Sequence, residues 1–299
     1  MPLTTRRKAL AALGAALVCG TVPAGPAAAA RAHGRVPGPR PLAHAHAHND
    51  YDHPHPLFDA LDHRFGSVEA DVYLADGQLL VAHDPVDLDP TRTLETLYLA
   101  PLLARIEANR GWVYDGWRTP LQLLVDIKTE GAATYLELDR HLRRHQQIFT
   151  SFSHGAVHRG PVTAVVSGDR AARVPMETQQ VRHAFYDGRL ADLQTPAPAS
   201  FIPLISEDWT ATFTWRGDGP FPATERAALH RIVSTAHAHG QRVRFWGTPD
   251  TAGPARDALW RELLAAGTDL LNTDDLAGLE AFLTARSPSR TEGLTELDG

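Results

Sequence analysis

The sequence predicts an α/β protein, a single-domain (β/α)8 barrel of the TIM type. Three observations carry this. Eight short apolar runs alternate with longer helical patterns between residues 42 and 286, the rhythm of repeated strand–helix units. Several runs are apolar almost throughout, as parallel strands covered on both faces must be. No glycine-rich phosphate loop follows the first run, which argues against the alternative, an open doubly wound sheet.

The elements follow in order. Residues 42–48 form the first strand and 67–74 the second. Asp76-Gly77 is a hairpin signal and folds "LLVAHD" back beside the second strand. "LQLLVDIK" at 121–128, "VTAVVSG" at 162–168, "RHAFYDG" at 182–188, "FIPLIS" at 201–206, "QRVRFWG" at 241–247 and "TDLLNT" at 268–273 supply the other strands. Helical spacing falls at 57–65, 93–109, 132–147, 224–238 and 255–266. Pro54 and Pro56 precede the first helix and Pro222 the fourth, which are start signals.

The ends read differently. "TTRRKALAALGAALVCG" followed by "AGPAAAARA" has the basic, apolar and small-residue order of a secretory signal over residues 1–30. Arg6-Arg7 suggests a twin-arginine route, so bacterial export to an extracellular location is expected. Residues 31–41 read as a flexible leader and 287–299 as a disordered polar tail. The body has no apolar run long enough to cross a bilayer.

Composition excludes several functions. The formal charge is −6, and cleavage would remove Arg6, Arg7 and Lys8 but no acid. Such a surface argues against nucleic acid as a partner, and a monomer is expected. Cys19 is the only cysteine and would leave with the signal, so no disulfide, thiolate nucleophile or cysteine-bound metal is expected. Lys8 and Lys128 are the only lysines. In so arginine-rich a chain, Lys128 marks a place for a compact point charge.

The chemistry concentrates at strand ends. In "HAHAHNDY", alternation puts His44, His46 and His48 on one face and the alanines on the other. His48 is expected at the C-terminal lip, with His44 and His46 structural or supporting. In "SVEADVYL", Glu69 and Asp71 share a face. Two acids side by side in an apolar strand need a neutralising cation, and oxygen ligands suit Mg2+ or Ca2+. His83 ends "LLVAHD" near the same rim. Asp126 and Lys128 end the third strand on one face. Asp126 and Asn49 would complete an oxygen cage for one divalent ion, and Lys128 would face an anion. Arg244, Trp246 and Asn272 lie at late strand ends, where barrel enzymes keep their sites. Trp209, Phe213, Trp215 and Phe221, in the loop after the sixth strand, could close over a substrate or make a transient contact with a membrane surface. Two imidazoles, a divalent cation and a lysine suit cleavage of a phosphodiester.

At these residues a resemblance appears. "HNDY", "EADV", "AHD" and "DIK" resemble the phosphatidylinositol phospholipase C / glycerophosphodiester phosphodiesterase superfamily. The run looks most like its altered-inheritance-of-mitochondria branch. "FWGTP" and "LLNTDD" are similar to sphingomyelinase D relatives. The resemblance implies a metal-dependent phosphodiesterase barrel acting on a small-molecule or lipid phosphodiester. It implies His48 and His83 as the acid/base pair, Lys128 beside them, Glu69, Asp71, Asp126 and Asn49 around the ion, and Trp246 and Asn272 as late-strand site residues; with Arg244, from its strand-end position, these two are expected on the substrate. Asn49 and Asp50 stand where glycerophosphodiester phosphodiesterases have Arg-Gly, which weakens the case for that substrate. Two other readings stay open: a non-catalytic binding barrel for a phosphate ester, and a glycosidase using the same acids. Glycosidases hold two carboxyls roughly 5–10 Å apart across the sugar, so closer packing would exclude the second.

Overall fold

A computed structural model of the protein describes residues 38–286. The expectations for residues 1–30, 287–299 and most of 31–41 lie outside the described residues. Eight parallel strands close into a barrel with helices around it, as expected. They are β1 (Leu42–Ala47), β2 (Phe65–Ala75), β4 (Leu121–Ile127), β7 (Val162–Gly168), β8 (Ala184–Gly188), β9 (Leu204–Asp208), β10 (Arg242–Trp246) and β11 (Leu270–Thr273). Their order is β1-β11-β10-β9-β8-β7-β4-β2, and β1 pairs with β2 to close the ring. The hairpin strand β3 (Gln78–Val81) lies antiparallel to the outer half of β2. Asp76 (φ 48°) and Gly77 (φ 75°) make its turn, both left-handed, as a two-residue hairpin matching strand twist requires.

Side-chain alternation divides the barrel into two apolar layers. Val68, Ala70, Val72, Leu123, Val125, Val166 and Leu271 face outward into the core under the helices. Leu124, Val165, Phe185, Leu204 and Leu270 fill a separate inner cluster. Above that plug the inward positions turn polar, with Ser67, His46, Glu69, Arg244 and Asn272 all buried. Barrel strands place functional groups at this C-terminal end.

The helix α3 (Gly131–Arg144) shows how the outer layer forms. The Glu130 carboxylate caps it by accepting from the Ala132 and Ala133 amides, where an anion also suits the helix dipole. Thr134, Tyr135, Leu138 and Leu142 form its buried stripe. Each buried leucine contributes roughly 1.5–3 kcal/mol, and Leu138→Ala would cost about 2–5 kcal/mol. The other helices are α1 (Phe58–Asp62), α2 (Ala100–Ala108), α4 (Arg173–Thr178), α5 (Trp209–Thr212), α6 (Ala223–Ala238), α7 (Pro254–Ala266) and α8 (Leu276–Ala285).

Several elements depart from the sequence expectation. The helix foreseen over 93–109 begins as a π-helix, Glu95–Leu99, and becomes α2. Pro101 has no amide hydrogen for a regular bond at that junction. α4 is unforeseen; its Pro175 lies in the first turn, where no donor is needed. α8 is also unforeseen, though Asp275 caps it by accepting from the Gly278 amide at 2.9 Å. The small antiparallel pair β5 (Ser151–Ser153) and β6 (Ala156–His158) is likewise new.

One expectation is overturned. Trp209, Phe213, Trp215 and Phe221 are all buried. They pack on one another and, through Trp209 and Phe213, on Phe245. The Trp209 indole donates to the Trp215 carbonyl at 2.7 Å. Burial of these rings favours a core cluster over a lid, and they present no face to substrate or lipid.

Candidate active site

Register brings the acids together. Asp71 and Asp126 are ladder partners on β2 and β4, and Glu69 lies one inward step below Asp71. Oxygens of Glu69, Asp71 and Asp126 all fall within 4.8 Å of one another. Gly168 leaves room for this: a β-carbon there would collide with the Asp126 carboxylate and the Ile127 backbone. That spacing is tighter than the roughly 5–10 Å between glycosidase carboxyls, which sets the glycosidase reading aside.

The three acids differ in their partners. Glu69 Oε2 accepts from Arg244 Nη2 at 2.6 Å and from His46 Nε2 at 2.9 Å. Burial alone would raise Glu69, but Arg244 and then His46 outweigh it and hold the carboxyl well below its usual range. Asp71 accepts from the Tyr51 hydroxyl at 2.6 Å and faces Lys128 Nζ at 3.0 Å. Burial, with the charge of Glu69, still pushes Asp71 up to about 6. Its Oδ1 is buried with no hydrogen-bond partner. Asp126 lies 3.3 Å from Lys128 Nζ and is raised by burial and then by Glu69. Three converging carboxylates, two of them short of positive charge, with one orphaned buried oxygen, fit a hard divalent ion.

Lys128 is raised, since Asp126 and Asp71 outweigh the opposing effect of its burial. It stays charged beside the acids. Asn49 adopts a left-handed conformation, φ 46° and ψ 38°, which asparagine tolerates better than most residues. This turn folds Tyr51 back so that its hydroxyl lies 2.8 Å from Asn49 Oδ1, next to Asp71.

His48 stands at the lip. Its amide bonds to the Thr273 carbonyl at 3.0 Å, and its Nδ1 lies 2.9 Å from Asp274 Oδ1. Burial lowers His48, but the Asp274 hydrogen bond and the charge of Glu69 raise it on balance. His46 is fully buried between Ser67 Oγ at 2.7 Å and Glu69. Burial, with Arg244, lowers it to about 4, so it is neutral. His44 is exposed near the opposite end, its Nδ1 3.0 Å from the Asp269 carbonyl.

Other foreseen residues are placed less directly. His83 follows β3 with a side chain 57% exposed, its Nδ1 3.2 Å from Asp84. Among the described residues Asp84, not the acidic cluster, is the hydrogen-bond partner of its ring. Arg244 is buried and committed to Glu69 and to Asn272 Oδ1, which accepts from its Nε at 2.9 Å. Arg244 is therefore the countercharge of Glu69, and Asn272 holds it. The Trp246 ring is covered by the Arg189 guanidinium at 4.7 Å. Arg189 in turn donates to Asp187 at 2.9 Å.

Four contributors were not read from the sequence: Tyr51, Ser67, Asp274 and Arg189. Asp274 sits inside the quoted "LLNTDD", and its alternation with Asn272 is the signal that would have found it. Tyr51 needs the left-handed turn at Asn49, which no periodicity reveals.

An acid-lined barrel mouth flanked by histidine and lysine is the arrangement of a phosphodiesterase-type (β/α)8 protein. Residues 40–187 match the AIM6-like phosphodiesterase domain, and residues 242–277 match the glycerophosphoryl diester phosphodiesterase family. The chain belongs to the phospholipase C / glycerophosphodiester phosphodiesterase superfamily, in its altered-inheritance-of-mitochondria-like branch. It is 29% identical over 237 residues to the altered inheritance of mitochondria protein 6 homolog of Arthroderma benhamiae, covering 72% of this chain and 74% of the relative. It is 31% identical over 258 residues to altered inheritance of mitochondria protein 6 of Eremothecium gossypii, covering 76% and 66%. It is 30% identical over 260 residues to the Lachancea thermotolerans protein of that name, covering 74% and 61%. The matches thus span less than two thirds of the length of these last two relatives.

These findings correct one expectation. Bacterial export to an extracellular location does not stand, because the relatives are fungal proteins. A basic, apolar leader has a composition that several kinds of targeting segment share, so its pattern alone does not specify that route.

Proposed function

We propose that the protein cleaves a small-molecule or lipid phosphodiester, with His48 and His83 moving protons and Glu69, Asp71 and Asp126 holding one Mg2+ or Ca2+ ion, Asn49 beside them. The observation that carries this is the carboxylate triad with the orphaned Asp71 Oδ1. When bound, such an ion neutralises charge developing on phosphoryl oxygens.

The chain's own groups do the rest. Lys128 Nζ, held by Asp71 and Asp126, offers a compact positive charge to the phosphoryl anion. Asp274 accepts a hydrogen bond from Nδ1–H of His48, which holds the ring proton there and leaves Nε2 to accept a proton from the attacking hydroxyl or water. His83 returns a proton to the leaving oxygen, its exposure matching a group that meets substrate at the rim. His46 and Arg244 act through Glu69, fixing its carboxylate. Arg189 and Trp246 form the far wall, where a head group would lie.

The test is a panel of phosphodiesters, comprising lysophospholipids, phosphoinositides, sphingomyelin and glycerophosphodiesters. Turnover is compared for wild type, His48→Ala and His83→Ala, with and without chelator. Loss of turnover in both variants and in chelator supports the proposal, and equal turnover in all samples sinks it. One observation favours a non-catalytic phosphate-ester binder instead: His83 pairs with Asp84 rather than with the acidic cluster. Ligand-induced thermal stabilisation without turnover on the panel would support that reading.

A further inference from the structure

At the end of the barrel away from the acids lies a cavity of about 560 Å3. Its walls come from the N-terminal ends of the strands, with Gln122, Thr163 and Arg242, and from the β5–β6 hairpin, with Val157 and Arg159 following it. Ligand sites commonly have this volume, an apolar lining and a few convergent polar groups.

The charge of the lining is one-sided. Among the described residues it contains Arg159 and Arg242 and neither aspartate nor glutamate, in a chain of net charge −6. Among the described residues Arg242 has no ion-pair partner, and its Nη2 donates to the Gln122 side-chain oxygen. Burial lowers Arg242 from its usual value by more than the charges of Asp269 and Asp187, neither of them paired with it, raise it. Phe185, Pro120, Pro203 and Val157 supply the apolar walls.

We propose that this cavity is a second ligand site, taking a small amphipathic anion whose carboxylate or phosphate head pairs with Arg242 and Arg159 while its short apolar tail lies against Phe185 and Val157. Arginine in a fork geometry suits either head. The site also touches the barrel mouth through polar contacts. Gln122 Nε2 donates to Ser67 Oγ at 2.9 Å, and Ser67 contacts His46, which holds Glu69. The binding claim does not depend on the proposed activity, because it is read by binding alone.

Calorimetric titration of the full chain with sodium hexanoate, and separately with hexyl phosphate, tests it, with hexylammonium as the charge-reversed control. The expected result is saturable binding of at least one anion, one per chain, at least tenfold tighter than hexylammonium. Whichever anion binds more tightly identifies the head. Arg159→Ala should weaken it about threefold to tenfold and Arg242→Gln more than tenfold, tenfold being about 1.4 kcal/mol. Ala199→Phe, which fills the cavity, should abolish it, and Lys128→Met should leave it unchanged. If Arg242→Gln does not fold, Arg159→Ala and Ala199→Phe decide. No saturable binding of either anion overturns the proposal. So does binding that survives Ala199→Phe, or that Lys128→Met removes, since the anion would then sit at the mouth.

Discussion

The Ser67 hydroxyl lies 2.7 Å from His46 Nδ1, and this contact determines which ring nitrogen carries the proton. Arg242 can only donate, so the Gln122 oxygen faces it and the Gln122 amide nitrogen faces Ser67. Ser67 then has one hydrogen left, which goes to His46 Nδ1. The ring proton must sit on Nε2, where it binds Glu69. Ser67→Ala removes that constraint without touching an acid. Divalent-ion affinity should fall about tenfold or more, read by calorimetric titration, with the circular dichroism spectrum unchanged.

Asp274 raises His48 through the bond to Nδ1. Asp274→Asn removes the charge, so His48 should release its proton at lower pH. The limb of the pH–rate profile that follows His48 should move to lower pH while maximal turnover falls. A limb that stays in place would assign it to another group.

Among the described residues Lys128 is the one cation that pairs with Asp71 and Asp126. Lys128→Met leaves those carboxylates facing each other. Because Lys128 is partly exposed, we expect a loss of about 1–2 kcal/mol in chelator, or a few degrees in Tm. Added Ca2+ should raise the Tm of the variant more than that of wild type, while turnover drops. Differential scanning calorimetry with and without the ion checks this.

Asp50 is buried where the chain leaves β1 and accepts from the Leu57 amide at 2.6 Å and the Tyr98 hydroxyl at 2.9 Å. Burial pushes it up to about 7 from 3.8. The folded protein therefore keeps a proton that the unfolded chain releases between those values. Stability from this group is present below about pH 4 and is lost as pH rises to 7, a fall of a few kcal/mol at 1.36 kcal/mol per pH unit. Denaturant unfolding of Asp50→Asn across that range should show a flatter slope than wild type.

Much of the fold was legible because strand alternation and apolar runs are local signals. The eight strand positions, the Asp76-Gly77 hairpin and the shared face of Glu69 and Asp71 all follow from period and turn chemistry. The pairing of Asp71 with Asp126 needed only the order of neighbouring strands. What was not legible depends on contacts between distant segments. Arg244 reads as a free cation at a strand end, and only the closed ring shows it committed to Glu69. Trp209 and Trp215 read as a loop that could cover a site, because a sequence does not say which side of a loop meets the core. α4, at six residues, is too short to show a helical period.

The central claim is that Glu69, Asp71 and Asp126 hold one divalent cation at the barrel mouth. Calorimetric titration of chelator-stripped protein with Ca2+ and with Mg2+, on wild type and Asp71→Asn, tests it most directly. The account predicts one ion per wild-type chain and a loss of affinity of at least tenfold, about 1.4 kcal/mol, in Asp71→Asn. Saturable binding that Asp71→Asn leaves untouched, or no binding of either ion to wild type, would contradict it.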